Sequence, residues 1–276
     1  METKENQPTV TMSRRELING LAAGSVVAFS GAAASGCTTN EALGRRQLIL
    51  VSDEQLAQLS AQSWSQALQQ NRQTSDPALR RRVERVGDRI VRAADQRFPE
   101  QNLTQNNWEF AVFDDDTVNA WVMPGGKVGF HTGLLDIMDN DDQIATVMGH
   151  EGGHVVGRHA AERYSQQIAA QGGLTLANVA LAAGDVENAG MIAGILGAGV
   201  TFGVILPYSR KHEYEADRLG ADFMVGADYR ANEAVRFWDT MTQQSGQRPA
   251  EFMSTHPSDS SRITAMRSYI TNQGYV

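Results

Sequence analysis

The string His150-Glu151-Gly152-Gly153-His154 constrains this 276-residue chain more than any other feature of its sequence. Two histidines four residues apart lie on one face of an α-helix, so both imidazoles can reach a single metal ion. Glu151 lies one step round that helix, where its carboxylate can hold the attacking water and act as a general base. Glycine costs a helix about 1 kcal/mol relative to alanine, so we predict that side chains at 152 and 153 would crowd a neighbouring backbone. His150 and His154 are the predicted zinc ligands.

A third protein ligand is expected between Ser209 and Asp217, where the sequence reads SRKHEYEAD. Glu213 and Asp217 are four residues apart and therefore share a helix face. Ala216 and Gly220 give that face small side chains that suit close helix packing. We assign Glu213 as the third ligand of one zinc ion per chain. Asp217 is the expected acceptor that orients a ligand histidine through its other ring nitrogen.

Hydrophobic periodicity predicts an α+β fold in which helices dominate around a small sheet. Helices are expected over 53–70, 76–98, 141–165, 209–225, 231–244 and 259–272. Strands are expected over 108–113, 118–123 and 127–131, the last two joined by Pro124-Gly125-Gly126. A charge-free run over 188–206 is predicted to form a buried or membrane-touching helical pair, and its contact with a membrane stays open.

Several strings together resemble one known family. HEGGH is followed by the E-x-E-A-D string that ends at Asp217, and both are preceded by a hairpin string, NAWVMPGG, over 119–126. Gly133-Leu134-Leu135 follows that hairpin, and Thr255-His256-Pro257 with Arg262 forms a late segment. This pattern is similar to that of the HtpX-like, CAAX-protease-related zinc metallopeptidases, family 48 of the metallopeptidases. The similarity extends over roughly residues 50–272.

The resemblance implies a mainly helical gluzincin-type metallopeptidase domain with a small β-sheet beside the HExxH helix. It implies a zinc-dependent endopeptidase that hydrolyses peptide bonds by zinc-activated water, with Glu151 as general base. The substrates implied by the family are misfolded or misassembled cell-envelope proteins.

His256, in the late segment, is a second candidate catalytic residue. It can serve as the electrophile that stabilises the oxyanion beside zinc, or as a fourth ligand that blocks the water site in a latent state. A capping or packing role before Pro257 is the third alternative.

Three other histidines receive structural interpretations. His159 lies about 140° round the helix from His154 and is predicted to be a surface residue. His212 is predicted to be exposed and His131 to be structural. The strand 127–131 is interpreted as a sheet edge that binds substrate as an added strand. Hydrogen bonds to the substrate backbone can form with any substrate sequence.

Residues 12–37 have the pattern of an export signal. Arg14 and Arg15 precede an uncharged stretch rich in alanine and glycine, as in twin-arginine signals. Small residues before Cys37, the only cysteine, resemble a bacterial lipobox, and cleavage after Ala34 is the alternative. We predict a signal peptide over 1–36, a lipid-modified Cys37 opening a tether over 37–50, and a zinc metallopeptidase domain over 51–276.

Charge and the residue after the cysteine bear on location and partners. A net charge of −8 without a long basic run argues against nucleic acid as a partner. Thr38 follows Cys37, and the resemblance to Gram-negative lipoproteins implies that this residue favours the outer membrane, and hence a lipid-anchored protein in the periplasm of a Gram-negative bacterium. The expected partners are polypeptide substrates bound in extended form, the membrane through the lipid anchor, and outer-membrane assembly proteins.

Two other functions remain open on the sequence. One is a zinc-containing, chaperone-like binding module for outer-membrane assembly with little or latent proteolysis. The other is a zinc hydrolase that acts on cell-wall peptide or a small molecule. The intact Glu151 argues against the first, because a purely structural zinc needs no base beside it.

Overall fold

The computed structural model describes residues 37–169, 209–244, 251–256 and 260–275. The predicted signal peptide over 1–36 and the charge-free run over 188–206 lie outside the described residues.

The described elements form an α+β fold that is mainly helical, as the sequence predicts. The strands are β1 (Cys37–Asn40), β2 (Arg45–Leu48), β3 (Glu109–Phe113), β4 (Ala120–Met123) and β5 (Lys127–His131). The first helices are α1 (Asp53–Gln70), α2 (Pro77–Arg97), α3 (Thr132–Leu135) and α4 (Asp141–Val156). Later helices are α5 (Arg210–Gly226), α6 (Asn232–Gln244), α7 (Glu251–Thr255) and α8 (Ser260–Gln273). Residues 159–169 are also helical.

The order of the three-stranded sheet is β3-β5-β4, with β5 parallel to β3 and antiparallel to β4. The prediction that 127–131 forms a sheet edge is therefore wrong, because β5 is the central strand. Its residues Val128 and Phe130 are almost fully buried, which suits a strand with neighbours on both sides.

One edge of the sheet is already bonded to the chain that precedes it. The backbone nitrogen of Thr74 donates to the carbonyl of Val112 at 2.8 Å, and that of Asp114 donates to Arg72 at 2.8 Å. This segment covers the outer side of β3. Among the described residues, β4 is the edge of this sheet without a strand neighbour.

Helices α4 and α5 cross with their backbones in direct contact. A Cβ added at Gly153 would lie 2.6 Å from the carbonyl oxygen of Ala216, and one added at Gly149 would lie 2.9 Å from that of Gly220. The predicted crowding is thus correct for Gly153. It is wrong for Gly152, whose added Cβ would meet only side-chain atoms at 3.8 Å or more.

The helix predicted over 141–165 is interrupted. α4 ends at Val156, and Arg158 has a left-handed φ of 51° before the helical residues 159–169 begin. The second helical segment therefore runs in its own direction. The positions of its side chains cannot be extrapolated from the rotation of about 100° per residue in α4.

The segment predicted as a tether, 37–50, begins with a folded hairpin. β1 and β2 pair as an antiparallel hairpin that packs on the end of α4. Asn40 Nδ2 donates to the carbonyl of Val156 at 3.0 Å, and Gln47 Nε2 donates to that of Gly157 at 2.7 Å. Both side chains are buried, so buried polar groups hold the hairpin to the domain, and Cys37 begins its first strand.

None of the described helices combines the length and the apolar character that crossing a membrane requires.

The helix crossing predicts opposite effects for two adjacent glycines. Gly153→Ala should lower the free energy of unfolding by roughly 1–3 kcal/mol, because the new methyl group meets backbone that cannot move aside. Gly152→Ala should raise it by up to about 1 kcal/mol, because helix propensity improves where space exists. Urea unfolding of both variants measures the difference, and equal effects would contradict the close crossing.

Candidate metal centre

Four buried side chains converge where α4, α5 and the end of α7 meet. His150 Nε2 lies 3.1 Å from His154 Nε2 and 3.1 Å from His256 Nδ1. Glu213 Oε1 lies 3.4 Å from His154 Nε2 and 3.2 Å from His256 Nδ1. The structure therefore brings the three predicted ligands together and adds His256 to the same cluster.

The spacing of these atoms fits a zinc ion. Tetrahedral ligands at about 2.0–2.1 Å from zinc are about 3.3–3.4 Å from one another. Five of the separations in the cluster are 3.1–3.5 Å when either oxygen of Glu213 is counted, and one ligand atom from each of the four residues lies within 4.8 Å of the others. His150 has one lone pair on Nε2, because its Nδ1 must donate to a carboxylate, yet Nε2 faces two other ring nitrogens. A cation at the centre satisfies all of these groups at once.

Asp217 orients His150. Its Oδ1 accepts from His150 Nδ1 at 2.9 Å, which leaves the lone pair of Nε2 facing the cluster. Asp217 is itself held by Arg262, whose Nε and Nη2 donate to it at 2.5 and 2.7 Å. The contact predicted for Asp217 is therefore present.

Arg262 is the charged partner that sequence reasoning did not assign. Its guanidinium is buried, lies 2.6 Å from Glu213 Oε2, and sits 4.8 Å from the ring centre of Trp238. Burial alone would raise the pKa of Glu213, but Arg262 and His256 hold that pKa well below its ordinary value. Burial also acts to raise the pKa of Asp217, but Arg262 and His150 together lower it. Only its place in the late segment of the sequence pointed to this residue.

Glu151 faces the cluster from the next position on α4. Its Oε2 accepts from the backbone nitrogen of Val122 on β4 at 3.2 Å, and its Oε1 lies 3.3 Å from His256 Nε2. Burial raises the pKa of Glu151, although the neighbouring His256 and His150 oppose this. A carboxylate with a raised pKa accepts a proton more readily at neutral pH.

His159 and His212 are both buried, so the predictions of surface positions are wrong. Their rings stack with centroids 4.4 Å apart. His159 Nδ1 lies 2.9 Å from Nδ1 of the ligand His154. Burial lowers the pKa of His159 to about 4, which keeps its ring neutral at physiological pH. The prediction failed because the left-handed turn at Arg158 directs the second helical segment back over the cluster.

Comparisons with known proteins agree with this geometry. A sequence model described as Peptidase family M48 matches residues 77–270, which contain all four cluster residues and Glu151.

Individual relatives extend the comparison. The chain is 35% identical over 190 residues to the mitochondrial metalloendopeptidase OMA1 of Schizosaccharomyces pombe, a match that covers 68% of this chain and 52% of that protein. It is 34% identical to the protein of the same name from Saccharomyces cerevisiae, over 75% of this chain and 60% of that one. It is 29% identical to the beta-barrel assembly-enhancing protease of Escherichia coli, over 70% of this chain and 39% of that protein. The matched part thus spans about half the length of these relatives.

The contact between Asp217 and His150 predicts an effect on metal affinity. Asp217→Asn should weaken zinc binding by about 10–100-fold, because the ligand ring loses its charged acceptor. Asp222→Asn is the matched control: Asp222 is a buried carboxylate on the same helix that bonds Tyr269 at 2.8 Å and is not a member of the cluster. Competition with a chromogenic chelator measures both affinities, and an equal loss in the two variants would contradict the assignment.

Proposed function

The chain belongs to peptidase family M48, and from this membership we propose that it is a zinc-dependent endopeptidase that cleaves polypeptides. The observation that carries the proposal is the buried cluster of His150, His154, Glu213 and His256 at ligand spacing, with Glu151 beside it. A zinc held only for structure needs no carboxylate at that place.

The residues of the chain have separate parts in hydrolysis. When bound, zinc polarises the scissile carbonyl and lowers the pKa of water to about 7. Glu151 takes a proton from the attacking water at Oε1 and delivers it to the leaving amine. Its other oxygen is fixed by the backbone nitrogen of Val122, so Oε1 is the oxygen left for the proton. Asp217 and Arg262 keep the ring of His150 in the orientation that binding requires.

β4 is the edge strand on which an extended substrate would align. In the antiparallel pair with β5, His131 donates to the carbonyl of Asn119, so the backbone groups of Ala120 and Val122 point away from β5. One of these groups, the Val122 nitrogen, already meets Glu151. A peptide added along β4 would therefore pass directly beside the general base, with affinity supplied by its backbone.

A cavity beside β4 supports a polypeptide as substrate. It has a volume of about 280 Å³ and is lined by residues that include Leu56, Pro124, His154 and Arg158. Space of this size next to the edge strand can receive side chains of an extended chain, and its mixed apolar and polar lining favours broad sequence tolerance.

His256 is proposed as a fourth ligand that keeps the resting site closed. Its Nδ1 lies 3.1 Å from His150 Nε2 and 3.2 Å from Glu213 Oε1. These distances are close to those expected between two ligands of one zinc ion. A ligand in this position occupies the place that catalysis needs for water. Substrate binding would have to displace His256 from this position, in which its Nε2 also lies 3.3 Å from Glu151 Oε1.

The setting of this activity is proposed from the sequence and the named relatives. Misfolded or misassembled cell-envelope proteins are the proposed substrates, and the similarity to proteins named beta-barrel assembly-enhancing protease supports outer-membrane assembly proteins as partners. The proposed location is the periplasm of a Gram-negative bacterium, with a lipid on Cys37 anchoring the protein to the outer membrane. With 37–48 folded onto the domain, such an anchor would hold the domain close against the membrane surface.

The proposed role of Glu151 is tested with casein as substrate and the full chain as enzyme. Glu151→Gln should keep about one zinc per chain but lose cleavage by about 10²–10⁴-fold, because the amide cannot accept the proton. Zinc content and cleavage are measured on the same preparations. Bound zinc without cleavage in the wild type would contradict the proposal and favour the chaperone-like binding module.

The two uses of His256 predict opposite results. If it closes the site, His256→Ala should bind zinc more weakly but cleave casein faster than the wild type, because a coordination position becomes available. If it is the electrophile, cleavage should fall by about 10²-fold or more with zinc retained. Zinc affinity and initial rates separate these outcomes, and unchanged values of both would exclude both uses.

A further inference from the structure

The two ligand histidines of α4 are supported in different ways. His150 contacts its carboxylate, Asp217, directly. His154 meets another ring, since its Nδ1 lies 2.9 Å from Nδ1 of His159. The far side of the His159 ring continues the chain of contacts, since Nε2 lies 3.2 Å from Glu215 Oε2.

With His159 neutral, one arrangement of protons satisfies this series of contacts. A carboxylate accepts, so His159 Nε2 must donate to Glu215. The neutral His159 ring then has a lone pair on Nδ1, which accepts from His154 Nδ1. His154 is left with its own lone pair on Nε2, the atom that faces the metal cluster.

Arg45 holds the far end of the chain of contacts. Its Nε and Nη2 donate to the two oxygens of Glu215, each at 2.7 Å. Its Nη1 and Nη2 also donate to both oxygens of Glu162 at 2.8 Å. One guanidinium thus fixes two carboxylates in a forked geometry that lysine cannot reproduce. Arg45 comes from β2, in the hairpin that the sequence suggested was a tether.

We propose that Arg45, Glu215 and His159 are positioning residues for the ligand His154, which makes the N-terminal hairpin part of the metal centre. We name this series of contacts the Arg45 relay. It does for His154 what Asp217 and Arg262 do for His150, with one additional imidazole between ligand and carboxylate. The inference rests on the proposed zinc enzyme but concerns binding of the metal, which can be measured without catalysis.

The buried histidine stack supplies a matched pair of variants. His159 and His212 stack on each other, are both buried, and each bonds a carboxylate that Arg45 holds. His159 contacts the ligand His154 through the Nδ1 atoms of the two rings. His159→Phe should weaken zinc binding by about 10–100-fold, because His154 loses the acceptor that orients it. His212→Phe should change zinc affinity less than about threefold.

A second pair tests the hairpin. Arg45→Ala should weaken zinc binding by about 10-fold, because Glu215 loses its charged partner and holds His159 less firmly. Arg46→Ala removes the same type of side chain from the next, exposed position of β2 and should leave the affinity unchanged.

The measurements are made on the full chain in its metal-free form. Zinc affinity is obtained by chelator competition, and the absorption bands of the cobalt-substituted protein report the geometry around the metal. Thermal unfolding of the metal-free variants reveals a purely structural defect. We expect a changed cobalt spectrum for His159→Phe and Arg45→Ala, and the wild-type spectrum for both controls.

The outcomes separate this inference from the proposed function. Equal zinc affinities and cobalt spectra for His159→Phe and His212→Phe would overturn the relay, even if the wild type cleaves casein. A wild type that binds zinc without cleaving casein would overturn the proposed function and leave the relay measurable. If His159→Phe does not fold, Arg45→Ala against Arg46→Ala decides on the same two readouts.

Discussion

The metal centre depends on the backbone contact between α4 and α5. Two histidines on one helix and a glutamate on another can share an ion only if the helix axes approach closely. Gly149 and Gly153 on α4 meet Gly220 and Ala216 on α5, and no larger side chain separates the two backbones. The helix propensity lost at Gly153 is therefore the cost of bringing Glu213 to His150 and His154.

The close approach of α4 and α5 buries several carboxylates near one another, and neighbouring groups compensate their negative charge. Glu151, Glu213 and Asp217 are all buried within a few ångströms of the cluster, and burial disfavours each charge. Arg262 offsets this by bonding two of the three carboxylates, while its face lies against Trp238. The residual negative charge suits a divalent cation, so the electrostatics and the ligand geometry favour the same occupant.

The outer contacts join distant parts of the chain to this centre. α8 supplies Arg262 on one side, and the hairpin β1–β2 supplies Arg45 on the other. The backbone nitrogen of Val122 on β4 donates to Glu151, so the open sheet edge lies beside this carboxylate. The open edge strand β4, Glu151 and the cluster residues are thus held by contacts between elements far apart in sequence.

The sequence by itself determined the parts of this protein that depend on local geometry. A spacing of four residues puts His150 with His154, and Glu213 with Asp217, on one helix face whatever surrounds the helix, so the ligand set could be predicted together with the α+β fold. The tertiary structure decided the rest. The middle position of β5 depends on pairing with β3, which no local pattern encodes. His159 reached the centre because a left-handed turn broke the helical phase on which its surface prediction relied. Arg262 and Arg45 could not be assigned for the same reason: their partners are chosen by packing between elements, and periodicity carries information only within one element.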